Sequence, residues 1–526
     1  MKKWKAALVG SAIASATLLS LAACGGETGE SSKKKDDGSI SLMAPDRTDV
    51  HPKREDLWMW NEYEKISGIK VNWEEVKDWE DKKQLIISKK TLPDAFYNLG
   101  FSNEELVKYG EQGLFIPLED LIKDNAPNLV KLMEEDPTIK KAITSPDGHI
   151  YSLPYTCSDP MGGGRSFKMY FNKVWLEKLG LEVPTNTIEL EEVLEAFVTK
   201  DPNGNGKADE QGYYMDSAQF GPLELMVKSA FGLNSAGRTA MENNYYLDKN
   251  GKLQFVFSSN NMKEVWKYEA NLYKKGLIAK TAFAGVDYDK WVADASKDTV
   301  GMFSWVGRDF IGTEAMNNYV PTTILNGPDG TGGSLVTQSS VMGTSSFVIT
   351  KDAADPEKLI KWVDYFYGPE GTELGFFGKE GVTYEAKENG DKVYVDKILN
   401  YPKGPQLGAY QFMDNVYGGF YPYNEPTERE KEIAYGRKPE EYTDAPLENL
   451  PEVILPTFMS TSEETSELST ITTDMNKYIE QARVQFVTGK WDVDEKWDEY
   501  LTQLKNIGLD KWVEIRQAQY ARYMEE

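Results

Sequence analysis

Ten consecutive residues carry the most explicit ligand chemistry in the chain: Asp201-Pro202-Asn203-Gly204-Asn205-Gly206-Lys207-Ala208-Asp209-Glu210. Oxygen-bearing side chains stand at positions 1, 3, 5 and 9 of this stretch, and position 6 is Gly206. A hard cation such as calcium takes about six to eight oxygens, and a short loop with this spacing can wrap one. Lys207 at position 7 would contribute its backbone carbonyl. Position 12 is Gly212 rather than the bidentate glutamate of an EF-hand, so Glu210 would have to supply that carboxylate. A polar Asn-Gly turn without metal is the competing reading. Nucleophilic chemistry has little to work with. Cys157 has only His51 and His149 as histidine bases, and a small buried hydrophobe is the simpler reading of it. No Gly-x-Ser-x-Gly and no His-Glu-x-x-His occurs.

A different chemistry sits at Leu21-Ala22-Ala23-Cys24, which resembles a bacterial lipobox. Lys2, Lys3 and Lys5 precede an apolar run from Ala6 to Ala23, a positive n-region followed by an h-region. Gly10, Ser11, Ser15, Thr17 and Ser20 dilute that run, which argues against a membrane-spanning helix. Residues 1–23 are therefore expected to be a removed signal peptide and Cys24 the lipidated N-terminus. Residues 24–39 read as a polar, disordered tether. The mature chain is expected on the extracellular face of the cell membrane, held by its lipid. With Cys24 lipidated, Cys157 has no disulfide partner, which fits a Gram-positive surface that does not rely on oxidative folding.

The elements that must position these groups come from residues 40–526, too long for one core and so expected as two or more lobes. The precursor carries a net charge of −25, and loss of the three signal-peptide lysines takes it to −28. Such a chain repels nucleic acid and anionic lipid headgroups. The 13 Trp, 29 Tyr and 21 Phe point to aromatic surfaces with a task or to packed seams between lobes. Ile40 to Met43 reads as a strand, Arg54 to Ser67 as a helix stopped by Gly68, and Ile69 to Trp73 as a second strand. A helix over Asp78 to Ser88 and a strand over Pro93 to Asn98 continue the alternation. Strands alternating with helices argue for an α/β lobe with a mostly parallel sheet, whose ligands sit beyond the carboxyl ends of the strands. That rule selects Asp46, Arg47 and Asn98. Later, Val300 to Trp305 reads as a strand ending in an exposed aromatic, and Arg308 follows. Asn400 to Tyr435 is rich in tyrosine and glycine. Helices are expected over Ile471 to Thr488, Asp494 to Ile507 and Asp510 to Met524.

An ordered series of short stretches makes the pattern specific. It runs Gly68-Ile69-Lys70-Val71, Leu92-Pro93-Asp94-Ala95, Gly113 to Leu118, Asp147 to Tyr155, then Met169-Tyr170-Phe171-Asn172-Lys173. This order resembles the extracellular solute-binding proteins of ABC importers, of the maltose-binding type (family 1). The likeness is greatest to the large Gram-positive lipoprotein branch that includes relatives of the alginate-binding proteins. The resemblance implies an α/β, two-lobed periplasmic-binding-protein-like fold with a hinge and an interlobe cleft. It implies an N-terminal lobe of residues 40–155 and 345–382 and a C-terminal lobe of 156–344 and 383–526. It also implies that Trp305 stacks on a sugar ring, and that a loop like 201–210 holds a structural calcium ion. Tyr155 and Asp159 at the hinge, Tyr421 from the aromatic segment, and Arg165 and Arg308 complete the candidate ligand contacts. The two arginines would favour a uronate-bearing sugar if both face the cleft. The implied partners are an oligosaccharide, the permease subunits of an importer and, through the lipid, the membrane; no nucleic acid is expected, and the protein is expected to be a monomer. A surface glycoside hydrolase would need a pair of cleft carboxylates about 5 to 10 Å apart. A peptide receptor on the same fold would need exposed strand edges and a charged pocket for termini.

Overall fold

The computed structural model describes residues 38–160, 166–214, 222–279, 293–294, 296–305, 315, 317–414, 421–437 and 449–525. All the architecture below lies within residues 40–526, a unit separate from 1–39. Its first sheet has six strands in the order Asn424–Glu425, Leu153–Cys157, Val341–Ile349, Ala95–Tyr97, Ile40–Pro45 and Val71–Val76. Ile40–Pro45 runs parallel to both of its neighbours, as strand–helix–strand crossovers require. Side chains alternate between two buried layers. Leu42, Ala95, Tyr97, Phe347 and Ile349 face one cluster, while Met43, Phe96 and Val348 face another. Both faces are thus covered, the usual condition for a largely parallel sheet. One strand and one helix differ from expectation: the second strand is Val71–Val76 rather than Ile69 to Trp73, and the first helical segment breaks at Leu57 into Arg54–Asp56 and Trp58–Ser67.

A second sheet, in the order Tyr319–Thr322, Lys168–Asn172, Val300–Trp305 and Gln211–Tyr213, organises a separate core. Met169, Phe171, Met302 and Phe303 from its strands pack with Trp266, Phe486, Trp497 and Trp512 from helices. Gly301 has no room for a side chain, because an added Cβ would overlap the Phe197 ring. Residues 40–526 therefore form an α/β fold in which the six-stranded and the four-stranded sheet each organise their own buried side chains. Among the described residues no helix is long and apolar enough to cross a membrane.

Past the boundary expected at residue 383, the chain continues on the first core. Tyr384, Tyr394, Tyr410, Tyr421, Tyr423 and Tyr435 are buried in the first core, not the second. Asn424–Glu425 adds a parallel edge to Leu153–Cys157. Among the described residues that follow, Val453, Leu455 and Phe458 pack on the second core. A buried ion network pins this long return. Arg54 is fully buried; its Nε donates to Asp414 Oδ2 at 2.8 Å, and its Nη1 donates to Pro45 O at 2.6 Å and Glu75 Oε1 at 3.0 Å. Trp60 Nε1 donates to the same Asp414 oxygen at 3.0 Å, and His51 Nε2 lies 3.3 Å from the other. Burial alone would push the Asp414 carboxyl up, but the Arg54 guanidinium, with His51 beside it, holds it well below the usual carboxylate range.

A groove between two halves as the candidate binding site

Asp46 and Arg47 follow the carboxyl end of Ile40–Pro45 and are partly exposed. Thr48 donates its N–H and hydroxyl to Asp46 Oδ1, at 2.9 and 2.7 Å, and these bonds hold the carboxyl below its usual range. Arg47 lies over the Tyr410 ring at 5.8 Å. Asn98 follows the strand Ala95–Tyr97 with φ of 52° and donates its N–H to Ser346 O at 2.8 Å. A non-glycine residue in the left-handed region is a point of local strain of the kind that gathers at binding sites.

Other candidates have structural tasks. Tyr155 is 5% exposed and stacks on Tyr423 with ring centroids 5.3 Å apart. Tyr421 is 1% exposed and packs against Tyr97. These rings are buried in the first core and present no open face to a ligand. Asp159 Oδ2 accepts the Glu428 N–H at 2.8 Å. Glu428 Oε1 in turn lies 3.4 Å from Lys168 Nζ, both side chains being buried. Lys168 is the register partner of Trp305 across the second sheet. Asp159 is thus linked through Glu428 and Lys168 to the strand that carries Trp305. Trp305 itself is partly buried at the end of Val300–Trp305, its ring tilted against Phe167 at 6.3 Å. Arg165 and Arg308 lie outside the described residues, as does Cys24.

A cavity of about 640 Å³ opens between the two halves. From the first half come Phe101 to Glu104, at the start of the helix Asn103–Glu111, and Met342 to Ser345. That stretch of Val341–Ile349 is where the pairing with Leu153–Cys157 shifts register. From the second half come the helix Gly237–Glu242, the first turns of Ser462–Val487, and Arg516. Thr465 Oγ1, Thr472 Oγ1 and Arg516 Nε, all lining residues, are buried without a protein hydrogen-bond partner. Buried polar atoms are normally satisfied, so these three fit a ligand rich in hydroxyls. A second cavity of about 400 Å³ shares Glu242 with the first and reaches Phe167, the neighbour of Trp305. Trp305 lines neither cavity.

Behind the second cavity lies a buried charge cluster. Glu224 is 2.8 Å from Lys228 and 2.9 Å from Arg483, and Arg483 reaches Glu269 at 3.3 Å. Burial beside Glu224 pushes the Glu269 carboxyl up, against the pull of Arg483. The cluster ties the helices Pro222–Ala230, Asn260–Lys274 and Ser462–Val487 into a rigid wall.

The 201–210 loop adopts a tight wrap. Asp201 sits at φ of 48° and accepts the Gly206 N–H at 3.1 Å. Asn203 Nδ2 and Asn205 Nδ2 both donate to Asp209 Oδ1, at 3.1 and 3.0 Å. Asp201 Oδ1 and Glu210 Oε1 are buried without protein partners. Burial pushes the Glu210 carboxyl up, and the nearby Asp201 and Asp209 charges add to it. Crowded carboxylate oxygens lacking donors are what a hard cation would satisfy, so the donor set fits calcium. Among the described residues no cluster of three His, Cys, Asp or Glu side chains stands ready for a metal; amide and backbone oxygens would have to complete the set that this loop's carboxylates begin.

The groove residues Phe167, Arg238, Glu242, Thr465, Thr472 and Arg516 were not legible as site residues. The one available signal was Thr461-Ser462-Glu463-Glu464, a capping box that starts the helix Ser462–Val487 nine residues before the expected start at Ile471.

Against known proteins, residues 55–373 match the family described as bacterial extracellular solute-binding protein. A curated relative from Streptococcus pneumoniae, the fructooligosaccharide ABC transporter substrate-binding protein FusA, is 30% identical over 483 residues, covering 88% of this chain and 86% of its own. The solved structure of FusA in complex with kestose superposes with a TM-score of 0.69 at 26% identity, covering 93% of this chain and 99% of that one. A solute-binding protein from Bifidobacterium longum infantis shares the fold, with a TM-score of 0.73 at 24% identity over 92% of this chain and 99% of that chain. The architecture and the family match agree: the chain belongs to the bacterial extracellular solute-binding proteins, and its work is binding, not catalysis.

Proposed function

We propose that the chain is the receptor of an ABC importer, that it captures an oligosaccharide in the groove between its halves, and that it hands the sugar uncut to the permease. The observation that carries the reading is the polar groove itself. It is bounded by both halves and lined by hydroxyl, amide and guanidinium groups, three of which have buried atoms without protein partners. FusA, a relative at 30% identity across most of both chains, is named for fructooligosaccharides. Closure of the halves would add contacts present only in the bound state, and those contacts would hold the closed form. Asp46, Arg47 and Asn98 would approach from the first half and Trp305 from the second. Cys24 would carry the lipid that keeps the receptor at the extracellular face of the membrane, and a single chain would suffice. Calorimetric titration with neutral oligosaccharides of three to five units, followed by chromatography of the recovered sugar, tests this. Saturable binding with intact sugar is expected; absence of binding to every sugar offered, or recovery of cleaved fragments, overturns it.

The 201–210 loop would hold one calcium ion through Asp201, Asn203, Asn205, the Lys207 carbonyl, Asp209 and Glu210. Its role would be structural: it would bind the loop to the strand Gln211–Tyr213, which is an edge of the second sheet. Calcium at a hundredfold excess over its Kd is expected to stabilise the chelator-treated protein by about 2.7 kcal/mol. Thermal melts check this, and Glu210→Gln is expected to remove most of the gain. An unchanged melt on calcium addition contradicts the reading.

A further inference from the structure

Largely buried guanidinium groups in this chain meet carboxylates. Arg54 reaches Asp414 at 2.8 Å, Arg483 reaches Glu224 at 2.9 Å, and Arg437 pairs with Glu432. Arg516 departs from that pattern. It stands on the last helix, Leu509–Glu525, and lines the groove from the second half. Its Nη1 donates to Gln519 Oε1 at 2.9 Å, and its Cζ lies 5.4 Å over the Trp512 ring. Gln519 is itself fastened, its Nε2 donating to Ser460 Oγ at 2.9 Å and to Glu464 Oε2 at 3.3 Å. The Arg516 Nε is buried without a protein partner, and among the described residues no carboxylate stands within ion-pair distance of the guanidinium. Burial lowers its pKa, and the pull of Tyr245, Glu464 and Glu104 offsets this only in part. A cation withdrawn from water without a counterion is costly, so the arrangement calls for a carboxylate.

The opposite wall of the groove offers one. Glu464 is committed elsewhere: it takes Arg522 at 2.8 Å and the Thr461 N–H at 3.0 Å. Glu242 is held by Arg238 at 2.8 Å. Glu104 is exposed, lines the same groove from the first half, and accepts from the Ser102 hydroxyl at 3.5 Å. It stands in the first turn of Asn103–Glu111. The start of that helix is fixed by the Ser102–Glu105 capping box and by Thr344 Oγ1, which donates to Asn103 Oδ1 at 2.5 Å. Glu104 therefore moves with the first half and Arg516 with the second. A carboxylate on the ligand is the poorer partner, because it would meet Glu104 and Glu242 beside a single lining cation.

We propose that Glu104 and Arg516 pair across the groove when the halves close on an oligosaccharide, and that the pair holds the closed form without touching the sugar. This rests on the capture reading above and adds the residues that secure its bound state. A contact made only in the closed form raises affinity for whatever ligand closes it. The gain is therefore the same factor for every sugar that binds, whereas a residue touching the sugar would discriminate between sugars.

The test is calorimetric titration of wild type, Glu104→Gln, Arg516→Met and the double variant. The probes are kestose and nystose, maltotriose and maltotetraose, and cellotriose and cellotetraose. Each single change is expected to weaken binding by about 3- to 10-fold, between the worth of an exposed ion pair and that of a buried charged hydrogen bond. The double variant is expected to bind within about twofold of the weaker single one, because both changes remove the same interaction. The two sugars of the series that binds should shift by the same factor. Glu104→Gln is an exposed, isosteric change, so it is expected to fold and to leave the melting temperature of the sugar-free protein unchanged. Three outcomes overturn the pair and leave the carbohydrate reading standing: affinity unchanged or raised in Glu104→Gln, losses that multiply in the double variant, or shifts that differ between the two sugars. Wild type binding none of these sugars overturns the carbohydrate reading itself and this proposal with it.

Discussion

Asp414→Ala is expected to cost about 3–5 kcal/mol of stability, a large share of the roughly 5–15 kcal/mol that holds a native protein folded. The reason is what the substitution strands. Arg54 is fully buried and has Asp414 as its bidentate partner, with Nε at 2.8 Å from Oδ2 and Nη2 at 3.4 Å from Oδ1. Removing the carboxylate leaves a guanidinium, an indole N–H and His51 without their shared acceptor. Double replacement of Arg54 and Asp414 by apolar residues of similar size is expected to cost less than the single change, because no fully buried charge is then left uncompensated and Glu75, which also loses Arg54, is partly exposed. The network also dictates an acid response. The folded-state pKa of Asp414 lies below the unfolded value near 3.9. Its contribution is therefore fully present above about pH 5, and it fades as the pH falls through the unfolded value toward the folded one. Urea melts of wild type and Asp414→Asn between pH 7 and pH 3 check the sign: the gap between the two should shrink as the solution becomes more acid. A constant gap contradicts the ion-pair account.

Trp305→Ala is expected to weaken oligosaccharide binding by about 10- to 100-fold while leaving the melting temperature nearly unchanged. The indole stands partly exposed at the end of a well-paired strand, next to the aromatic floor that Phe167 provides for Arg238. An indole face covering one sugar ring removes enough apolar area to account for about 1–3 kcal/mol, which is that range of affinity. Calorimetry with the neutral probe that wild type binds checks it. Unchanged affinity assigns Trp305 to the second core, against which it also packs.

Part of the first sheet was legible, as strands over Ile40 to Met43, Ile69 to Trp73 and Pro93 to Asn98, and Val300–Trp305 of the second sheet was found with its limits intact. Gly68 was read as a stop, and it closes its helix in the left-handed conformation at φ of 68°. What failed has physical causes. The segment from Asn400 to Tyr435 looks like ligand-facing loop because glycine and tyrosine together suit that task. Tyr410, Tyr421, Tyr423 and Tyr435 are instead buried on the first core, and the segment is fixed by an Arg54–Asp414 pair 360 positions apart that no local pattern announces. Tyr155 and Tyr421, expected as ligand contacts, are buried in the same core. The start of Ser462–Val487 was missed because serine and threonine are poor helix formers in isolation, so that composition argued against what the capping box allowed. The groove is lined by Thr465 and Thr472 on that helix, by Arg516 on a later one and by Met342 to Ser345 from the irregular strand. Such a wall is assembled by tertiary packing and has no sequence period of its own.

Hydrogen exchange read by mass spectrometry, with and without a saturating neutral oligosaccharide, tests the central claim most directly. Capture between the halves predicts slowed exchange in peptides covering 100–104, 237–243, 338–345 and 456–473 together, from both halves at once. Slowing confined to one half, or none in these segments while the sugar is bound, contradicts it.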